Sequence, residues 1–413
     1  MAEHRRGANL PSIGGFNRTV VLDAVRRSPD GLSRVELAAR TGLSAQTVSN
    51  VTRFLIEAGM IAESGTIVSG RGKPRTILRL EPGSRYAVGV HVDPAVVTYV
   101  LLDLAGNVVA QTTTSTPTAD DPSGVIRTIA TAVDRLVTDA DVDVDAVLGI
   151  GIASPGPIDV DAGIVVDPPF LPRWRDVPLR DAVAEATGYP VLLEKDVTAA
   201  AVGEMFLAGE SSARNFAFVY FGTGFGVGLV VDHEPVRGVG SNAGDAGHIM
   251  VEQGALAGTP EGSGSRGEVG ATVAPERLVQ IAADRGLQLG DRSDVEAVDR
   301  AWDVLAAAIE AGDETAVALA AETGAVMGHA VVLIVNLLDM DRVVFGGPFW
   351  SRIASAALPA ARAAIVGSPL LVPKHPIAVV ESDRGSDVAA VGAACLVLDA
   401  ALSPRASGLL IRR

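Results

Sequence analysis

The residues best suited to hold a ligand are concentrated between Phe216 and His248. An apolar run, Phe216 to Phe221, leads into Gly222-Thr223-Gly224-Phe225-Gly226-Val227-Gly228, and Leu229-Val230-Val231 follows at once. Two β-type runs joined by glycines predict a hairpin; its backbone either approaches a ligand closely or simply makes a tight turn. The glycines alternate and a strand follows, whereas a dinucleotide fingerprint needs a different spacing and a helix. Downstream, Ala243-Gly244-Asp245-Ala246-Gly247-His248 adds a carboxylate and an imidazole. A second carboxylate, Asp196, stands where the apolar run Val191-Leu192-Leu193 meets a helical pattern, and by its residues alone it reads as an N-cap.

This spacing, with Gly238 and the tail to His248, resembles the signature of the ROK family of repressors, open reading frames and sugar kinases. The likeness runs over nearly the whole chain and implies an α/β, two-lobed, actin/hexokinase-like body. It makes the alternating glycines a second phosphate loop and turns Asp245 and His248 toward a sugar. It also makes Ser154-Pro155-Gly156-Pro157 a sugar-side loop and Asp196 a sugar ligand, which in the kinases acts as general base. The chain departs from the family at three places. The first phosphate turn, Asp-x-Gly-Gly-Thr in the kinases, reads His91-Val92-Asp93-Pro94-Ala95, which adds a carboxylate and removes an N–H donor. Lys195 replaces an Asn, pointing to an altered, anionic or non-standard ligand. The family's zinc cysteines read Glu261, Ser263 and Glu268, and its last sugar-binding Glu reads Gly270. No metal or other cofactor is therefore expected, and the Gly/Ser-rich segment 254–270 is read as a loop. Trp174, in a Pro-rich connection that the family places beside its cleft, fits a packing anchor as well as a ligand contact.

The chain has 413 residues, enough for two or three domains. Its one cysteine, Cys395, lies in an apolar run and rules out a disulfide framework within the chain. No uninterrupted apolar run has membrane-spanning length, and the first residues lack a signal-peptide core, so no membrane partner and a cytoplasmic location are expected. Charge is uneven. Residues 1–85 hold 13 of the 34 Lys+Arg and 7 of the 49 Asp+Glu, a net of +6 against −21 for the remainder. Only the first part is therefore suited to a polyanion.

That part carries its own pattern. Phe16 to Ser28 is helical and stops at Pro29-Asp30-Gly31, Ser33 to Glu36 fits a capping box, and Ser44 caps a third helix, Ala45 to Ala58. Val48, Val51 and Leu55 share one face of this helix, while Gln46, Ser49, Asn50 and Arg53 lie opposite. Helix, glycine turn and polar-faced helix make a helix-turn-helix pattern, although a plain three-helix bundle is the alternative. Two β-rich runs flanking Gly70-Arg71-Gly72-Lys73-Pro74 complete a wing. Ser44, Gln46, Thr47, Ser49, Asn50, Arg53, Arg71 and Lys73 are the expected DNA contacts, and this segment also resembles the ROK repressors.

The expected organisation is a winged helix-turn-helix over 1–82, lobe 1 over 83–204 completed by 388–413, and lobe 2 over 205–387. The expected function is a transcriptional repressor without kinase activity. It would act as a homodimer or homotetramer on a palindromic double-stranded operator and answer to a small carbohydrate-like effector at Ser154, Lys195, Asp196, Asp245 and His248. The alternatives are a sugar kinase with an added DNA-binding domain and a ligand-free dimerisation scaffold.

Overall fold

A computed structural model describes residues 10–67, 75–94, 96–115, 121–168, 171, 174–208, 213–251 and 267–402. The chain begins with α1 (Leu10–Arg26), β1 (Leu32–Ser33), α2 (Arg34–Thr41), α3 (Ala45–Glu57), β2 (Ile61–Ile67) and β3 (Arg75–Leu80). Ser33 caps α2 through a complete capping box with Glu36, and the Ser44 side chain accepts from the Thr47 amide at the start of α3. Both caps lie where the sequence places them. Val48, Val51, Thr52 and Leu55 bury one side of α3. The strands pair in the order β1-β3-β2, all antiparallel, so β2 and β3 form a wing. Arg71 and Lys73 fall outside the described residues.

The next elements are β4 (Tyr86–Val92), β5 (Val96–Asp103), β6 (Val108–Ser115), α4 (Pro122–Asp139), β7 (Val147–Ser154), β8 (Ile158–Asp159), β9 (Ile164–Val165), α5 (Leu179–Thr187), β10 (Val191–Lys195) and α6 (Asp196–Leu207). Then come β11 (Phe216–Phe221), β12 (Phe225–Val231), β13 (Glu234–Pro235), α7 (Val269–Thr272), α8 (Pro275–Asp284), α9 (Val295–Glu310), α10 (Glu314–Leu338), β14 (Arg342–Gly346), α11 (Pro348–Val366), β15 (Ala378–Glu381) and α12 (Val388–Leu402). One five-stranded sheet has the order β10-β7-β4-β5-β6 and the other β13-β12-β11-β14-β15. Numbered within each sheet, these are one and the same order. In both, the first three strands form an antiparallel meander, and the fourth and fifth add in parallel beside the first.

α12, the last described helix, returns to the first sheet, where small residues allow backbone to touch backbone. A Cβ on Gly89 would lie 2.0 Å from the Ala390 carbonyl, and one on Gly392 2.0 Å from that of Ala199 in α6. Cys395 is fully buried there, and burial pushes its thiol up to about 12. Two helical segments, Glu314–Leu338 and Gly385–Leu402, are long and apolar enough to cross a bilayer, which the sequence reading did not anticipate. Most of each is buried within the molecule, as in core helices. Trp174 is wholly buried in the lobe 1 core, which resolves its two readings in favour of packing.

Candidate effector cleft and DNA-facing helix

On α3, Ser44, Gln46, Asn50 and Arg53 are exposed, while Thr47 and Ser49 are half-buried. The polar groups hold one another loosely. The Gln46 Nε2 donates to Asn50 Oδ1 at 3.1 Å, and Arg53 donates to the same oxygen at 3.2 Å. Such exposed bonds are weak and readily exchanged for base edges.

The hairpin β11–β12 turns at Gly222 to Gly224, and its mouth opens on a cleft of about 360 Å³ between the two sheets. Pro155, Gly156 and Pro157 line it from the loop after β7, Lys195 and Asp196 from the junction of β10 and α6, and Asn242, Gly244 and Asp245 from the loop after β13. Of the five residues expected to face an effector, Lys195, Asp196 and Asp245 meet here. Ser154 is buried behind the lining, and its hydroxyl donates to the Pro155 carbonyl. His248 points outward; its Nδ1 lies 3.2 Å from the carboxylate of Glu268, one of the residues at a lost zinc-cysteine position. Among the described residues no group of three or more His, Cys, Asp or Glu could hold a metal ion. The segment expected as loop to 270 already has backbone pairing at its end: Met250 bridges to Glu268, and the Gly270 amide donates to Gly247. A Cβ at Gly270 would come within 3.1 Å of Gly247, so this close approach favours glycine over the family's Glu.

Asp196 is not the N-cap of α6. Lys195 holds that position, with extended backbone and no side-chain cap, and Asp196 is the first helical residue. Its Oδ1 accepts from the Val197 amide at 2.8 Å. Burial raises its pKa to about 6, against the opposing pull of that amide and of Lys195, and nearby Asp93 pushes it the same way. Lys195, which also lines the cleft, is a buried residue, and its ammonium donates to the Asn242 carbonyl over 3.4 Å.

Three participants were not legible in the sequence. Asn242 grips the backbone of Ile158 from both sides, accepting from its amide at 2.8 Å and donating to its carbonyl at 2.7 Å. Arg237 donates to the buried carboxylate of Glu194 at 2.6 Å. Tyr220, on β11, lines the cleft with a buried hydroxyl that has no partner. The first two pairs are 84 and 43 residues apart, beyond any local pattern. Only the apolar run Phe216 to Phe221 around Tyr220 marked it, and as core.

The wing-bearing domain is joined to the body at the far end of α6. Arg26, the last residue of α1, donates to the Phe206 carbonyl at 2.8 Å, lies 3.8 Å from the centre of the Phe206 ring, and pairs with Asp23 at 2.7 Å. Residues of α1, α3, α6 and α12 share one continuous apolar core.

Comparison with known proteins finds matches for both parts of the chain. Residues 87–400 match the ROK family, and residues 21–62 match the winged helix-turn-helix DNA-binding family. The DNA-binding transcriptional repressor Mlc of Escherichia coli (strain K12) is 25% identical over 386 residues, 92% of each chain. The crystal structure of a ROK family transcriptional regulator, a homolog of the E. coli MLC protein, superimposes with a TM-score of 0.72 at 22% identity, covering 95% of this chain and 98% of the other. A ROK family glucokinase from Streptomyces griseus, in complex with glucose and AMPPNP, superimposes with a TM-score of 0.63 at 26% identity, covering 75% and 98%.

Proposed function

The chain belongs to the ROK family, and from that premise we propose that it is a transcriptional repressor whose operator affinity is set by a small carbohydrate-like effector in the cleft. Its units would be residues 1–82, 83–204 with 388–413, and 205–387, assembled as a homo-oligomer on a palindromic site. One observation carries the reading. The twelve-residue helix α6 starts at Asp196 in the cleft and ends at Leu207, next to Phe206, whose carbonyl and ring hold Arg26 of the DNA-binding domain. A rigid helix of about 18 Å therefore joins the two sites, at 1.5 Å per residue. Contact along its length with α12 leaves it little room to bend. An effector that shifts its first turn moves the seat of Arg26.

Phosphoryl transfer is not part of this reading. Asp93 and Pro94 stand at the first phosphate turn, where a carboxylate and a missing N–H oppose a nucleotide. The kinase reading has one observation in its favour, the elevated carboxylate of Asp196 at the cleft, a suitable general base. A coupled ADP-release assay with a sugar panel decides between them.

The experiment is an operator titration followed by fluorescence anisotropy, on an operator selected from random duplexes. Asn50→Ala should cost roughly 1–3 kcal/mol of operator affinity. Asp196→Ala should leave that affinity near wild type but weaken release by sugar tenfold or more, since ~1.4 kcal/mol is a factor of ten. By linkage, an effector that lowers operator affinity binds less tightly to the operator complex. An identical sugar response in wild type and Asp196→Ala removes Asp196 from the effector site. No response of the wild type to any sugar favours the dimerisation scaffold.

A further inference from the structure

Lys195 is 7% exposed and lines the cleft, yet among the described residues no carboxylate forms an ion pair with its ammonium. Its side chain lies against the loop after β7, where a Cβ on Gly156 would stand 3.0 Å from the Lys195 Cε. There the ammonium meets the Asn242 carbonyl over 3.4 Å, a long bond for a charged donor. The acidic residues on either side of it in the chain are otherwise engaged. Glu194 is paired with Arg237 at 2.6 Å. Asp196 accepts from the Val197 amide at 2.8 Å and feels the ammonium only through space.

A buried charge is costly unless it is paired, and an ammonium has three donors, of which the protein engages one, weakly. Its corner of the cleft lies between Pro155-Gly156-Pro157 and Asn242, whose side chain is committed to the Ile158 backbone. The rest of the lining is of another kind. Asp196 and Asp245 offer carboxylate oxygens, that of Asp245 lying toward Gly247, and the Tyr220 hydroxyl is buried without a partner. One corner thus suits an anion, while the remaining polar groups suit hydroxyls.

Resting on the effector reading above, we infer that Lys195 receives a carboxylate, so that the effector is a sugar acid of the uronic type. A carboxylate carries one charge and accepts more than one N–H, which matches a single ammonium with donors to spare. A neutral sugar leaves that ammonium buried without a counter-charge. A phosphate monoester carries roughly two negative charges at pH 7. Its second charge would meet Asp196 and Asp245 in the same lining and no further cation, since Arg237 is held by Glu194. The cleft, at about 360 Å³, has room for one sugar ring. The anionic ligand that Lys195 suggests in the sequence is thereby narrowed to a carboxylate.

The test is calorimetric titration of the full chain at pH 7 with matched sets of sugars: glucuronate, glucuronamide, glucose and glucose 6-phosphate, and the same sets built on galactose and mannose. For at least one set the uronate should bind at least tenfold more tightly than the neutral sugar and more tightly than the phosphate. The uronamide, which keeps the shape and lacks the charge, should bind like the neutral sugar. Lys195→Gln should abolish the preference for the uronate while leaving neutral-sugar affinity within about threefold. The uronamide comparison uses the wild type alone and so decides the matter even if that variant does not fold. Equal binding of uronate and neutral sugar, tightest binding of the phosphate, or a uronate preference that survives Lys195→Gln overturns this inference and leaves the effector reading standing. Absence of binding by every sugar overturns both.

Discussion

The two five-stranded sheets share one strand order, yet their first hairpin turns have gone separate ways. In the second sheet the turn is Gly222-Thr223-Gly224, and Gly226 and Gly228 follow in β12. In the first, the equivalent turn is Asp93-Pro94-Ala95, without a glycine. The structure supplies a physical reason for the contrast. α6 lies directly on β12: a Cβ on Gly228 would stand 2.1 Å from the Val197 carbonyl, and one on Gly226 2.5 Å from the Val197 side chain. Close helix packing thus requires those two glycines whether or not a phosphate ever binds. Gly347, after β14, is similar, since its Cβ would lie 2.5 Å from the Phe221 carbonyl. A surviving glycine pattern in this half of the molecule is therefore poor evidence for a kinase, and the turn at Asp93 is the more telling one.

The largest expected effect breaks this comparison directly. Gly228→Ala places a methyl against a carbonyl and should cost about 3 kcal/mol or more, by the usual penalty of overpacking, whereas Pro94→Gly should change stability by no more than about 1 kcal/mol. Thermal unfolding of the two variants measures the difference. Equal melting temperatures would mean that the β12 glycines are kept for some other reason.

Next in size is the link between the two halves. Arg237→Ala leaves the Glu194 carboxylate buried without its partner and should cost about 2 kcal/mol, reduced from the fully buried case because Arg237 is 29% exposed. Adding Glu194→Gln should recover part of the loss, as removing the stranded charge removes its desolvation cost. If the double variant melts below the single one, the pair does not act as an isolated charge couple.

A third effect depends on pH. Asp196 has its folded pKa raised from 3.8 to about 6, so its contribution to stability is fully present below pH 3.8 and is lost as pH rises through 6. Asp196→Asn, which cannot ionise, should accordingly melt higher than wild type at pH 7.5, with the gap closing toward pH 4. A gap of constant size across that range would show that Asp196 does not titrate there.

Local signals carried much of the fold. Ser33 with Glu36, and Ser44, announce helix starts because the capping bond spans only three residues. The β11–β12 hairpin lies where its apolar runs and glycines place it. Other elements left no such mark. The sequence reading contained neither α5 nor β15, and α11 continues through Pro359, a residue that ordinarily ends a helix.

The sequence by itself determined the family, the two-part charge distribution and the polar face of α3, because each is written in neighbouring residues or in composition. Only the tertiary structure decided which candidate groups meet. It brought Lys195, Asp196 and Asp245 into one cleft, left Ser154 and His248 outside it, added Tyr220 and Asn242 to the lining, and paired Arg237 with Glu194. It also decided that Asp196 and Arg26 stand at opposite ends of one helix system. Cleft geometry arises from contacts between segments tens of residues apart, and the direction a buried side chain faces depends on the packing of every element around it.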